Sequence, residues 1–185
     1  MPTPRAGTSI DGSEYVRWLL AGKHQVQFAA TVLRRDAILA PGFDPRDQDA
    51  DDLGLLLRSA WGRRVAVLPR VLARVRVHDD TVSASAATSV SDGSYVFDLP
   101  WRINYRDVKV RFVNEHVDDA AVAVDLCRTA ERSLRRSLLV PSALALRSEG
   151  LRAATQHLLR DLRLGPRAVI DPQAWKRALA VYLAR

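Results

Sequence analysis

The chain has 185 residues, of which 48% are hydrophobic, so it is not a disordered chain and can form a sizeable core. Its net charge is +7 at pH 7, its single cysteine excludes an internal disulfide and a cysteine-based zinc site, and its apolar stretches are far shorter than the ~20 residues of a transmembrane helix. These features predict a soluble, cytoplasmic protein of one domain, or of one domain with an appendage.

Helical and extended patterns alternate near the N-terminus. Residues 13–22 predict a short helix, which Ser13 can cap and Gly22 can end. Residues 26–35 are rich in β-branched and aromatic side chains and predict a buried strand. Residues 36–48 contain proline and glycine and predict a short helical turn followed by a loop.

A second helix is predicted to begin at Asp51 or Asp52, because apolar side chains then recur at helical spacing up to Trp61. Two extended segments should follow, "RVAVLP" and "VLARVRVH". A serine-rich connection over 79–94 marks the best internal boundary, and Asp171 followed by Pro172 predicts the start of the last helix. Beyond the boundary, the helices are expected over 105–116, 118–137, 142–163 (with a break at Gly150) and 172–184.

Three carboxylates, those of Asp49, Asp51 and Asp52, cluster before the leucine-rich helix. A carboxylate in the first turn of a helix interacts favourably with the helix dipole and can cap an exposed N–H group. This role explains the presence of one carboxylate well, but it explains a cluster of three poorly because like charges repel one another. Further along, Arg76 and His78 lie two apart on an extended segment and should share a face, an arrangement suited to a phosphate or a metal–phosphate group.

The order of these segments resembles a known family. The series "LRRDAIL", "GFDP", "DADDLGLLLR" and "VAVLPRVLARVRVHDDTVS" is similar to the acceptor-side half of a family-2 glycosyltransferase with the GT-A fold, and the resemblance covers roughly residues 14–85. The positions that match the family pattern are Gly42, Phe43 and Asp44 in its loop, Asp51 and Asp52 as its acidic pair, Arg58 in its helix, and Arg76, His78 and Ser83 in its closing motif. Pro41 stands where the loop usually has its first glycine, and Asp51 replaces the commoner glutamate.

The resemblance implies an inverting transfer of a sugar from a nucleotide-sugar donor to a hydroxyl of a glycan or a lipid-linked acceptor. By position, Asp52 would be the general base. Asp51 and the loop of Gly42, Phe43 and Asp44 would shape the acceptor and donor-sugar pocket. Arg76 and His78 would bind the diphosphate, and His78 would lie near a divalent cation, Mg²⁺ or Mn²⁺.

The fold class expected from these patterns is α/β: a partial GT-A-like, Rossmann-like half-domain over 1–85, then a mostly α-helical extension over 86–185. The family's nucleotide-binding half does not precede this region, and its Asp-x-Asp metal motif is absent. Two tripeptides fit that motif only formally, since they lie in a loop rather than after an apolar strand: Asp47-Gln48-Asp49 and Asp49-Ala50-Asp51. The chain is therefore expected to be the C-terminal part of a truncated or split enzyme, inactive alone, or the partner of a separate donor-binding chain.

The alternative is a non-catalytic, basic helical binding module for an acidic partner or nucleic acid. The scattered acidic residues, and the lack of a helix-turn-helix or aromatic stacking motif, argue against nucleic acid. Arginine-rich stretches such as "RTAERSLRRS" are most simply solvated helix faces, and they also fit peripheral contact with anionic lipid at the inner face of a membrane.

Overall fold

The computed structural model describes residues 9–22, 28–68, 73, 87–89, 95–97 and 99–183. This part of the chain is mainly helical. Its helices are α1 (Gly12–Leu20), α2 (Arg35–Leu39), α3 (Asp51–Ala60), α4 (Leu99–His116), α5 (Ala120–Ser137), α6 (Val140–Ser148), α7 (Leu151–Leu164) and α8 (Pro172–Leu183). Short 3-10 helices are formed by Phe28–Ala30, Pro45–Ala50 and Pro166–Ile170. No helix within these ranges is both long and apolar enough to cross a bilayer.

The strands form two small antiparallel pairs. In the first, β1 (Ser9–Asp11) pairs with β2 (Arg64–Ala66), with Ile10 opposite Val65. In the second, β3 (Ala87–Ser89) pairs with β4 (Tyr95–Phe97). The expectation of an α/β chain therefore holds only in a coarse sense, since the described residues are mostly helical and do not display a GT-A half-domain.

Two compact units can be distinguished by their internal contacts. The first contains residues 1–76 and 104–130, and the second contains residues 77–103 and 131–185. The division into 1–85 and 86–185 stays a prediction. The contacts group the chain differently, because residues 104–130 belong with the N-terminal segment.

The core of the first unit forms where the helical periodicity predicts it. In α1 the carboxylate of Asp11, rather than the hydroxyl of Ser13, caps the helix by accepting a hydrogen bond from the Ser13 backbone N–H at 2.7 Å. The buried side chains of α1 and α3 meet those of α4 and α5 in a single cluster, whose fully enclosed members include Val16, Leu20, Leu57, Val113 and Leu126.

A buried lysine binds the C-terminal end of α1 inside this core. Lys109 of α4 is buried, and its ammonium group donates a hydrogen bond to the carbonyl oxygen of Leu20 at 3.2 Å. Cations are favourable at a helix C-terminus, where the last carbonyl groups lack helical partners. Burial nevertheless disfavours the charged form and lowers the pKa of Lys109 to about 8.

The second unit contains its own core and a buried ion pair. The carboxylate of Asp161 is fully buried, and Arg102 contacts it at 3.2 Å while also donating to the carbonyl of Ser137 at 2.9 Å. The helix predicted over 142–163 is broken at Gly150, which has φ +91°. The core cluster consists of Leu138, Leu139, Ala168, Ala174 and Ala178.

The predicted start of the last helix is confirmed, because the carboxylate of Asp171 accepts a hydrogen bond from the Gln173 N–H at 2.9 Å at the beginning of α8. The strand predicted over 26–35 is wrong for the residues that the structure describes there. Phe28–Ala30 form a 3-10 turn, Val32 is 94% exposed, and α2 begins at Arg35. Strand propensity mainly reflects packing against neighbouring strands, and the strands described elsewhere in the chain pair with one another instead.

Candidate functional site

The loop that precedes α3 is organised around the buried carboxylate of Asp47. One oxygen accepts a hydrogen bond from Arg58 Nη1 at 2.8 Å, and the other accepts from Arg111 Nη2. The Asp47 side chain is 1% exposed and that of Arg58 is 8% exposed, so this ion pair is shielded from water. The amide of Asn104 also donates to the Asp47 carbonyl oxygen at 3.4 Å. Asp47 thus joins the loop to α3 and α4.

The backbone next to Asp47 is strained. Gln48 has φ 43° and ψ −124°, a conformation that side-chain-bearing residues rarely adopt. Strain of this kind costs on the order of 1–3 kcal/mol and persists where the surrounding contacts fix the chain. The two arginines bound to Asp47 supply such contacts. The kink lies between the buried Asp47 and the exposed Asp49.

Gly54 provides the space for this carboxylate. A Cβ atom at position 54 would lie 1.9 Å from Asp47 Oδ2 and 3.1 Å from Arg58 Nη1. Glycine inside a helix ordinarily costs about 0.5–1 kcal/mol relative to alanine. Its presence in the leucine-rich helix α3 is therefore explained by the close approach of Asp47.

Gly54→Ala is expected to lower the free energy of unfolding by about 1–3 kcal/mol, although alanine stabilises most helix interiors, because the added methyl group displaces the ion pair. Urea denaturation of the purified chain measures the change. In an Asp47→Ala background the clash is absent, so the same substitution should be neutral or stabilising. Equal effects in both backgrounds would contradict the packing described for Gly54.

The predicted pocket loop, Gly42 to Asp44, is held from two sides. Gly42 has φ +60°, which favours glycine, and its carbonyl oxygen accepts a hydrogen bond from Arg58 Nη2 at 3.2 Å. Asp44 accepts hydrogen bonds from the Arg46 guanidinium and backbone N–H, which hold the pKa of that carboxyl well below its usual range. Phe43 is 57% exposed. Arg58 therefore links this loop to the ion pairs of Asp47 with Arg58 and Arg111, which we call the Asp47 cluster.

The predicted acidic pair opens α3, as its sequence position indicates. Neither carboxylate caps the helix from the N-cap position, which is held by Ala50. Asp51 is exposed and accepts a hydrogen bond from the Asp52 N–H at 2.9 Å, while Asp52 is partly buried and accepts from the Leu53 N–H at 2.6 Å. The two side chains therefore differ in environment despite being adjacent.

Burial of Asp52 raises the pKa of its carboxyl above the usual value, and the negative charge of Asp51 adds to this effect. The phenol of Tyr105 is close enough to be affected by the same charges. Burial raises the pKa of Tyr105, and the negative charges of Asp52, Asp51 and Asp49 raise it further. The structure thus brings three predicted carboxylates and one phenol together at the start of α3, with Asp52 as the most enclosed carboxylate among them.

Asp52→Asn is expected to increase the free energy of unfolding at pH 7. Because the folded pKa lies above the unfolded value of about 3.9, the folded protein binds this proton more tightly than the unfolded chain does. The wild-type protein therefore loses the stabilisation that the bound proton provides as the pH rises through the folded pKa, whereas asparagine stays neutral. The advantage of the variant should therefore disappear when the pH falls below about 3.5. Denaturation at both pH values, with the exposed Asp49→Asn as control, measures the difference. A less stable Asp52→Asn variant at pH 7 would show that the charged carboxylate supports the fold.

The predicted diphosphate residues Arg76 and His78 lie outside the described residues, as do Ser83 and most of the segment "VLARVRVH". Their roles, and the metal contact of His78, stay predictions. Among the described residues, no group of three or more histidine, cysteine, aspartate or glutamate side chains is placed to hold a metal ion.

Sequence reasoning gave no role to Asp47, Arg111 or Asn104, although Asp47 is the most deeply buried charged side chain of this region. Gly54 is the sequence feature that could have indicated Asp47, since a glycine inside a leucine-rich helix indicates a close approach by another group. Elsewhere, a cavity of about 220 Å³ in the second unit contains no predicted site residue. It is lined by Glu131, Leu134, Arg135, Leu138, Gly165, Pro166 and Arg167.

Comparison with known proteins gives no match to this chain, whether among protein-family models, curated proteins or solved structures.

Proposed function

We propose that this chain supplies the acceptor side of an inverting glycosyl transfer from a nucleotide sugar to a hydroxyl group, with Asp52 as the general base. The observation that carries the proposal is the environment of Asp52, a partly buried carboxylate whose pKa is raised by burial and by Asp51. A carboxylate in this state accepts a proton more readily than an ordinary surface aspartate does.

In the proposed reaction the acceptor oxygen attacks the anomeric carbon while its proton passes to Asp52. The bond between that carbon and the diphosphate oxygen breaks, and the nucleoside diphosphate leaves with the bonding electron pair. The leaving group requires positive charge, which the resemblance assigns to Arg76, His78 and a divalent cation. Gly42, Phe43, Asp44 and Asp51 are proposed to shape the sugar pocket.

The Asp47 cluster supports this proposal as a positioning device rather than as a reacting group. Both carboxylate oxygens of Asp47 accept hydrogen bonds from arginines, and one of these arginines, Arg58, also donates a hydrogen bond to the Gly42 carbonyl oxygen. The proposed base and the proposed pocket loop are therefore attached to one helix, α3. A site held on rigid elements keeps its groups in place, which the transfer step requires.

Transfer itself tests the function. Extracts of cells with and without the gene would be incubated with a panel of radiolabelled nucleotide sugars, so that any separate donor-binding chain is present. We expect label from at least one donor to enter a glycan or lipid fraction only when the gene is present. Equal incorporation with and without the gene for every donor would contradict the proposal and favour the basic binding module.

A further inference from the structure

An apolar stripe is exposed at the end of the second unit. It begins in the 3-10 turn before α8 and continues along one side of that helix. Its six members are between 41% and 78% exposed: Val169, Ile170, Trp175, Leu179, Tyr182 and Leu183. Six large apolar side chains exposed within 15 consecutive residues form the kind of surface patch that marks an interaction site.

The helical spacing keeps this stripe separate from the core of the unit. Ala174 and Ala178 turn inward and are buried, while Trp175 and Leu179 lie one position further round the helix and remain exposed. The indole N–H of Trp175 donates to the carbonyl oxygen of Val169 at 2.7 Å. This bond fixes the ring against the preceding turn, so the two parts of the stripe form one surface.

The net charge of the same region is positive, which favours an anionic partner. Residues 131–185 contain 11 arginine and lysine residues and 4 aspartate and glutamate residues, so this segment carries +7, which equals the net charge of the whole chain. Arg167, Lys176 and Arg177 are exposed next to the stripe in sequence. A second copy of this chain would bring two strongly positive surfaces together, which disfavours self-association.

We propose that this stripe binds the surface of an anionic lipid bilayer, with α8 lying in the interfacial plane. An interfacial helix inserts an apolar face among the headgroups while basic side chains contact lipid phosphates. Trp175 and Tyr182 belong to the two residue types that are enriched at membrane interfaces. This binding is independent of the glycosyl transfer proposed for the first unit.

Vesicle co-sedimentation of the full chain tests the proposal. We expect binding to vesicles of phosphatidylcholine with 30% phosphatidylglycerol (about a third anionic lipid, in the range where surface potential attracts basic segments) and little binding to phosphatidylcholine alone. Leu179→Ser/Leu183→Ser, which keeps the Trp175 hydrogen bond, should weaken binding by about tenfold or more. Lys176→Gln/Arg177→Gln should weaken it by about fivefold for each charge removed.

Exposed positions in the first unit provide matched controls. Leu39, which is 67% exposed, and Arg35 carry the same side-chain types outside the stripe, so Leu39→Ser and Arg35→Gln should leave binding unchanged. If the stripe variant binds anionic vesicles as tightly as wild type, attraction by charge alone accounts for binding and the proposal is wrong. It is also overturned if wild type ignores anionic vesicles. In that case the oligomeric state of the wild-type chain decides what the stripe binds. A dimer that is lost in the stripe variant would show that the stripe binds a second copy of this chain. A monomer would indicate that it binds another protein.

Discussion

Asp47→Asn is expected to lower the free energy of unfolding by about 3–5 kcal/mol. The substitution removes the carboxylate from Arg58, whose side chain is only 8% exposed and whose Nε already lacks a hydrogen-bond partner. A buried guanidinium without a counter-charge is costly because water cannot replace the lost interaction. Urea denaturation followed by circular dichroism measures the loss.

Asp49→Asn is the matched control, since it changes the same residue type two positions away at an exposed site. Its effect should stay within about 0.5 kcal/mol. Adding Arg58→Met to Asp47→Asn should recover part of the lost stability, because the unpaired charge is then removed as well. Equal urea midpoints for Asp47→Asn and Asp49→Asn would show that the ion pairs make no net contribution.

The elements that sequence reasoning predicted well are those set by local patterns. The leucine spacing of α3 and the Asp171-Pro172 pair depend on residues within one or two helical turns, and both are confirmed. The strand prediction over 26–35 is wrong for the described residues 28–35, because it depended on contacts that are not local. A strand is stabilised by its neighbours, and no pattern within those ten residues reveals whether a neighbour is present.

The same distinction between local and distant contacts applies to the candidate site. The position of Asp52 at the start of α3 follows from local sequence, but its burial beside Tyr105 does not, because the two residues are 53 positions apart. The pairing of Asp47 with Arg111 spans 64 positions. The chain contains many arginines and aspartates, so composition and spacing alone cannot select this pair.

The loss of transfer in Asp52→Asn should be about 10²- to 10⁴-fold, the usual contribution of a positioned general base. Asparagine keeps the size of the side chain and can still accept the hydrogen bond from the Leu53 N–H, but it cannot take the acceptor proton. Extracts of deletion cells that express each variant, assayed with the donor that wild type uses, measure the loss. Asp49→Asn should transfer at close to the wild-type rate.

The pH profile separates a base from a residue that only supports the fold. Transfer by wild type should rise with pH through the raised pKa of Asp52, because the base must be ionised to accept the proton, and this rise should be absent from the residual activity of Asp52→Asn. Since that variant is also expected to be at least as stable as wild type at pH 7, unfolding cannot account for its lost activity. A stable Asp52→Asn protein that transfers sugar within threefold of the wild-type rate, well short of the hundredfold minimum, would remove Asp52 from the reaction.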